Sequence, residues 1–181
     1  MVYVESLRRD DEAKRMTAPS TSGQSALFRQ AMREFAAGVA IVACGAGDAR
    51  SGCTVTALAS LSLAPPTLLV CLGRDALTLK RLSETGAFSV NLLAARHQEL
   101  ADRFAGGAGV RGAARFAVGR WTTLATGAPL LADALAAIDC RVEEILERHT
   151  HAIVIGAVAA VQRGDGGPAL AHWRSRYETL E

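Results

Sequence analysis

The sequence predicts a mainly β protein, an antiparallel β-barrel with a few peripheral helices, and three observations carry that expectation. Short apolar runs of strand length follow one another between residues 39 and 72, two longer β signals fill the C-terminal half, and helical periodicity is confined to a few short stretches. The order lacks the regular strand-helix alternation of a doubly wound parallel sheet.

Residues 1–24 mix charged side chains with a run at 17–24 rich in Ser, Thr and Gly, so they read as a flexible N-terminal extension; residues 25–181 form the folded domain. Ser25 can cap a helix in which Leu27, Phe28, Ala31, Met32 and Phe35 share one side, ended by Gly38, and that side is expected to pack on the core. Three strand-like runs follow: 39–44, then 53–63 stopped by Pro65 and Pro66, then 67–72. A helix at about 77–83 ends at Gly86, 88–93 reads as a strand, and another helix covers about 98–104. Further on, Ile138, Cys140 and Val142 alternate with Asp139, Arg141 and Glu143, the pattern of a half-exposed strand. Residues 152–161 are almost continuously apolar and read as buried.

At 181 residues the chain suits one domain with a tail, and a composition half hydrophobic and about a fifth charged suits a packed globular protein. The net charge of +2 is small and its basic residues are interleaved with acidic ones, which argues against a nucleic-acid partner. No apolar run reaches the roughly 18 to 20 residues that span a bilayer. Glu5, Arg8, Arg9, Asp10 and Asp11 stand where a signal peptide needs an apolar stretch, so a cytoplasmic protein is expected. Cys44, Cys53, Cys71 and Cys140 are widely separated, with no spacing of the kind zinc sites use, and read mostly as small buried hydrophobes.

Gly107-Ala108-Gly109-Val110-Arg111-Gly112 satisfies a dinucleotide-binding pattern, yet it follows a predicted helix and not a strand, so it reads as a loop. Between Gly52 and Ser62, a strand period of two puts Thr54, Thr56, Ser60 and Ser62 on one face. Those hydroxyls, with the small Ala57, suit a flat cofactor with a sugar-alcohol chain and phosphate; a solvent-facing Thr/Ser stripe is the equal alternative. His149 and His151 sit two apart, but two ligands make no metal site, and a single histidine near a cofactor or a plain surface histidine are the readings that remain.

The ordered landmarks are Phe28-Arg29-Gln30-Ala31-Met32 with Phe35 and Gly38-Val39, Gly52-x-Thr54 with Ala57, Ser60 and Ser62, then Pro65-Pro66 and Phe88-Ser89-Val90-Asn91-Leu92-Leu93. They continue through Phe104, Trp121, Gly127-Ala128-Pro129, Ile138-Asp139-Cys140, His151, Gly156-Ala157-Val158, and Arg174 with Tyr177. Taken in order, from about Phe28 to the C-terminus, they resemble the flavin reductase-like family with the FMN-binding split-barrel fold, the reductase components of two-component flavin monooxygenases.

That resemblance implies an antiparallel split β-barrel in which Gly52, Cys53, Thr54, Thr56 and Ala57 border the flavin ring and ribityl chain, with Ser60 on the same segment. It implies Cys71, Leu72 and Gly73 alongside, Thr78 at the phosphate, and Arg103 and Phe104 closing the far side. His151 and the segment His172, Trp173, Arg174 and Ser175 would face the nicotinamide, with His151 in a hydrogen-bonding or proton-handling role. Hydride would pass from NADH or NADPH to FMN or FAD, and reduced flavin would go to a partner monooxygenase, the protein itself being a homodimer. The sequence departs from the family pattern at Arg74-Asp75-Ala76-Leu77-Thr78, at His149-Thr150-His151 and at Arg174-Ser175. A flavin-binding electron carrier and a non-enzymatic split-barrel module are the rival readings.

Overall fold

The computed structural model describes residues 21–106 and 109–181. These fall into two compact units, one ending at Phe35 and the other spanning Ala36–Glu181. Most of the expected extension lies outside the described residues. In the first unit, helix α1 (Thr21–Met32) begins before the predicted Ser25 cap and ends well before Gly38. Its Leu27, Phe28 and Met32 are exposed, as is Phe35, which corrects the expectation that this side is buried.

The second unit opens with β1 (Ala37–Gly38) and β2 (Ala40–Cys44) and continues with β3 (Ser51–Val55), β4 (Leu58–Leu63) and β5 (Pro66–Gly73). Helix α2 (Leu77–Thr85) leads to β6 (Ala87–Leu92), helix α3 (Gln98–Ala105), and the short β7 (Trp121–Thr122) and β8 (Leu130–Leu131). The hairpin of β9 (Ala136–Arg148) and β10 (His151–Arg163) and that of β11 (Ala169–Trp173) and β12 (Arg176–Leu180) complete the chain. Seven strands form an antiparallel sheet in the order β3-β2-β6-β9-β10-β5-β4, beside a three-stranded sheet β1-β11-β12 and the pair β7-β8.

The predicted strand at 53–63 is two strands, and they lie at opposite edges of the seven-stranded sheet. β3 pairs with β2 as far as Val55, and β4 begins its pairing with β5 at Leu58. Thr56 and Ala57 carry the chain from one edge to the other, and the Ala57 carbonyl accepts the Cys71 N–H at 3.0 Å. This is where the barrel is split. Thr54, Thr56, Ser60 and Ser62 therefore do not share one face, and an irregularity between Ser60 and Ser62 shifts the register again.

Two apolar cores lie on the two faces of β2, which is why all five of its residues are buried and the run reads as continuously apolar. Ala40, Val42 and Cys44 join Val70, Leu72, Leu82, Phe88, Val90, Cys140 and Val154 in the first. Ile41 and Ala43 join Leu93, Leu100, Phe104, Phe116, Leu130 and Leu131 in the second. Gly156 is required in β10 because a Cβ there would stand 2.5 Å from the Phe88 ring. α2 ends as predicted at Gly86, whose φ of 66° supplies the left-handed cap.

The alternating strand at 138–143 is only partly half-exposed. Asp139 is fully buried, its carboxylate accepting the N–H of Thr126 at 2.8 Å and the Thr126 hydroxyl. Beside it Asn91 donates to the Ile41 carbonyl and the Ser89 hydroxyl and accepts the Leu131 N–H. Every polar atom here is satisfied, so the loop at 123–131 is pinned against β6 and β9. β10 is also less buried than predicted toward its end, with Val161 exposed.

Candidate active site at the free edge of β3

β3 pairs on one side only, so its other edge is open. Alternation turns Cys53 and Val55 toward the first core and brings Gly52 and Thr54 against α3. The Thr54 hydroxyl donates to the Ala101 carbonyl of α3 at 2.6 Å. Gly52 lies so close to the Phe104 ring and the Val42 carbonyl that a Cβ would stand 2.7 and 2.9 Å from them.

Two arginines fasten the segment after α3 to this edge. Arg115 donates from Nη1 to the Gly52 carbonyl at 2.7 Å and from Nε to the Val110 carbonyl at 3.0 Å. Arg103 donates from Nε to the Arg115 carbonyl at 2.9 Å and from Nη2 to the Ala114 carbonyl at 2.6 Å. Behind Phe104 stand Phe116 and Trp121, with ring centroids 4.8 to 5.4 Å apart across the three, which fixes the Phe104 ring in place.

A cavity of about 540 Å³ opens along this edge. Of the predicted site residues it brings together Cys53, Thr54, Thr78 and Phe104; Gly52 and Arg103 stand directly behind its wall. Thr78 is 3% exposed and shares a 3.0 Å hydrogen bond between its hydroxyl and that of Ser51. Burial raises the Cys53 thiol pKa above its ordinary value, against the opposing pull of its hydrogen bond to Thr78 and the charge of Arg115, so the thiol stays protonated near neutral pH.

The other predicted residues lie elsewhere. Thr56, Ala57 and Ser60 are exposed at the split, and Leu72 is buried in the first core between Cys71 and Gly73 of β5. His151 opens β10 opposite Gly73, exposed, with Nδ1 2.9 Å from the Thr150 hydroxyl. His149 occupies the turn before it with φ at 50°. His172 and Trp173 end β11, and Arg174 and Ser175, with φ of 49° and 64°, make the two-residue turn into β12. That hairpin is tied to α3 through Tyr177, whose hydroxyl pKa is raised by burial, by the negative charge of Asp102 and by its hydrogen bond to that carboxylate.

Sequence reasoning missed Ser51, Asp75, Arg111 and Arg115, all of which line the cavity. The pattern at 107–112 was the available signal. α3 precedes it, so it is no dinucleotide fingerprint, but its described part, from Gly109 on, forms a wall of this cavity. Gly107 and Ala108 lie outside the described residues. The cavity joins an open strand edge and two guanidinium groups, a donor set that fits a planar heterocycle carrying a phosphate.

A split antiparallel barrel with its cavity at such an edge defines a flavin reductase fold. The chain belongs to the flavin reductase like domain family, whose profile matches residues 32–181. Over 165 residues it is 39% identical to the FMN reductase (NADH) RutF of Agrobacterium fabrum, covering 91% of this chain and 94% of that protein. Among solved structures, BorF, the flavin reductase component of a bacterial two-component tryptophan halogenase, matches with a TM-score of 0.79 at 34% identity, over 86% of this chain and 98% of that one. SgcE6, an NADH:FAD oxidoreductase of Streptomyces globisporus solved with NAD and FAD fragments, matches at 0.79 and 27% identity, over 91% of this chain and 98% of that one.

Proposed function

We propose that this chain passes a hydride from NADH to FMN or FAD held along the free edge of β3, and releases the reduced flavin to a partner monooxygenase. The observation that carries the reading is the cavity itself, where Phe104, the β3 edge and Arg115 meet in a chain of this family. NADH is the nicotinamide named for both the Agrobacterium and the Streptomyces relatives. A flavin bound there would supply the redox chemistry, accepting the hydride directly when the two rings stack.

The protein's own part is positioning. Phe104, buried and braced by Phe116 and Trp121, packs behind Gly52 and keeps the β3 edge in place. The open β3 edge offers main-chain groups to ring heteroatoms, and Thr54 holds α3 against that edge. His151 is the proton-handling candidate, exposed at the start of β10 with one ring nitrogen engaged by Thr150. His172, Trp173, Arg174 and Ser175 are the nicotinamide-side candidates, on a hairpin braced to α3 by Tyr177.

The assembly we propose is a homodimer, for which the exposed Leu61 and Leu63 of β4 supply apolar surface. We place it in the cytoplasm, in keeping with four unbonded cysteines. No helix among the described residues is long and apolar enough to cross a membrane.

The test is oxidation of NADH and NADPH by purified protein with FMN, FAD or no added flavin, alongside the visible spectrum. Rapid flavin-dependent NADH consumption is expected. A flavin spectrum without turnover would instead identify an electron carrier, and neither turnover nor flavin binding would sink the reading.

A further inference from the structure

We infer that Arg74 is a positioning residue for His151, its guanidinium clamping the turn between β9 and β10 to the segment that enters the cavity wall. The inference rests on the reading of His151 given above and names what holds that side chain in place relative to the site. Arg74-Asp75-Ala76-Leu77-Thr78 and His149-Thr150-His151 are two of the segments at which the sequence departs from the family pattern. The structure brings these two departures into contact.

Three bonds join them. The Arg74 main-chain N–H donates to the Thr150 carbonyl at 3.0 Å, Nη1 donates to the His149 carbonyl at 3.2 Å, and Nη2 meets the Glu147 carboxylate at 2.8 Å. In the chain, Arg74 follows Gly73, which pairs with His151 across β5 and β10, and precedes Asp75, Ala76, Leu77 and Thr78, all of which line the cavity. Arg74 is therefore the joint between the strand that carries His151 and the cavity wall.

The turn has a physical need for such a clamp. β9 ends at Arg148 and β10 begins at His151, leaving a two-residue turn whose first member, His149, has a φ of 50°. Glycine takes that left-handed conformation freely, whereas a side chain makes it costly. The main-chain bond fixes one carbonyl of the turn. The Arg74 fork fixes the other and ties it to Glu147, which needs two donors spread in one plane, as a guanidinium presents them. The Arg74 and Glu147 side chains are 49% and 59% exposed, so the clamp is modest and its loss should loosen the turn without unfolding the sheet.

The experiment measures flavin-dependent NADH oxidation, flavin affinity by fluorescence quenching, and amide hydrogen exchange. It compares wild type, Arg74→Ala, Arg74→Lys, His151→Ala and the Arg74→Ala/His151→Ala double variant. Arg74→Ala is expected to lower kcat by roughly two- to fivefold, the scale of an exposed ion pair, with the flavin Kd unchanged. Arg74→Lys should recover part of that loss. Exchange in Arg74→Ala should quicken at residues 149–151 while β2 and β6 keep their protection. In the His151→Ala background, Arg74→Ala should cost nothing further. An equal loss in both backgrounds, a weakened flavin Kd or unchanged exchange at the turn would overturn the positioning role. A kcat lowered by His151→Ala but not by Arg74→Ala would leave His151 standing and remove the clamp; a kcat untouched by His151→Ala would remove both. Wild type that neither binds flavin nor turns over would remove the flavin reading itself.

Discussion

Arg115 Nη1 reaches the Gly52 carbonyl at 2.7 Å while the Phe104 ring occupies the space where a Gly52 Cβ would be. The position is thus fixed from two sides, by a hydrogen bond along the strand edge and by an aromatic ring against its face. Gly52→Ala must push Phe104 away, and because Phe116 and Trp121 brace that ring the strain has no cheap outlet. The expected cost is roughly 1–3 kcal/mol of stability. Urea melts should read that loss, and steady-state kinetics should show a raised KM for flavin.

Asp139 lies inside the sheet and pins the loop that carries Trp121 and Leu131 through Thr126. Asp139→Ala removes the acceptor of the half-buried Thr126 N–H and hydroxyl, and a loss of roughly 1.5–3 kcal/mol is expected, the scale of a hydrogen bond to a charged group. Chemical denaturation of the purified variant measures it. A variant as stable as wild type would mean that the loop holds itself.

Asp133 predicts a pH dependence. Burial raises its pKa, but the hydrogen bond and charge of His97, its own main-chain N–H and Arg96 outweigh this and hold the carboxyl below its ordinary value of 3.8. A lowered folded value means folding favours the charged form. Its contribution is therefore complete above 3.8 and disappears as pH falls through the lower folded value. The side chain is 43% exposed, so screening keeps the contribution small. Asp133→Asn should lose stability at neutral pH and show a flatter acid limb in melts taken on both sides of that window.

His151→Ala tests the proton-handling role. The side chain is exposed and hydrogen-bonds only the neighbouring Thr150 hydroxyl among the described residues, so removing it should leave the fold intact. Lower turnover at unchanged flavin affinity is the expected outcome. Unchanged turnover would retire His151 as a candidate.

Much of the fold was legible because its signals are local. Gly86 stops α2, and the apolar run of β2 follows from burial on both faces. Asp139 was misread because alternation reports which face a residue takes, not what covers that face; a loop from Thr126 covers this one. The break at Thr56 and Ala57 was hidden for a related reason: Thr and Ser suit a strand anywhere, and only closure of the sheet puts β3 and β4 at opposite edges. Of the candidate site, Cys53, Thr54, Thr78 and Phe104 were found, while Arg111 sat in a pattern read as a loop and Arg115 lay just beyond it. The meeting of Arg115 with Gly52 depends on a loop folding back across a sequence separation of 63 residues.

An unpaired strand is a template on which another chain's strand can add, and sheets left open in this way are prone to grow into aggregates. At β3 that risk is met by the contacts that shape the cavity, since Arg115 claims the Gly52 carbonyl and α3 covers Thr54. The recognition edge is thereby also the sheet's stopper, so damage to the 109–115 wall would be felt in solubility as well as in binding.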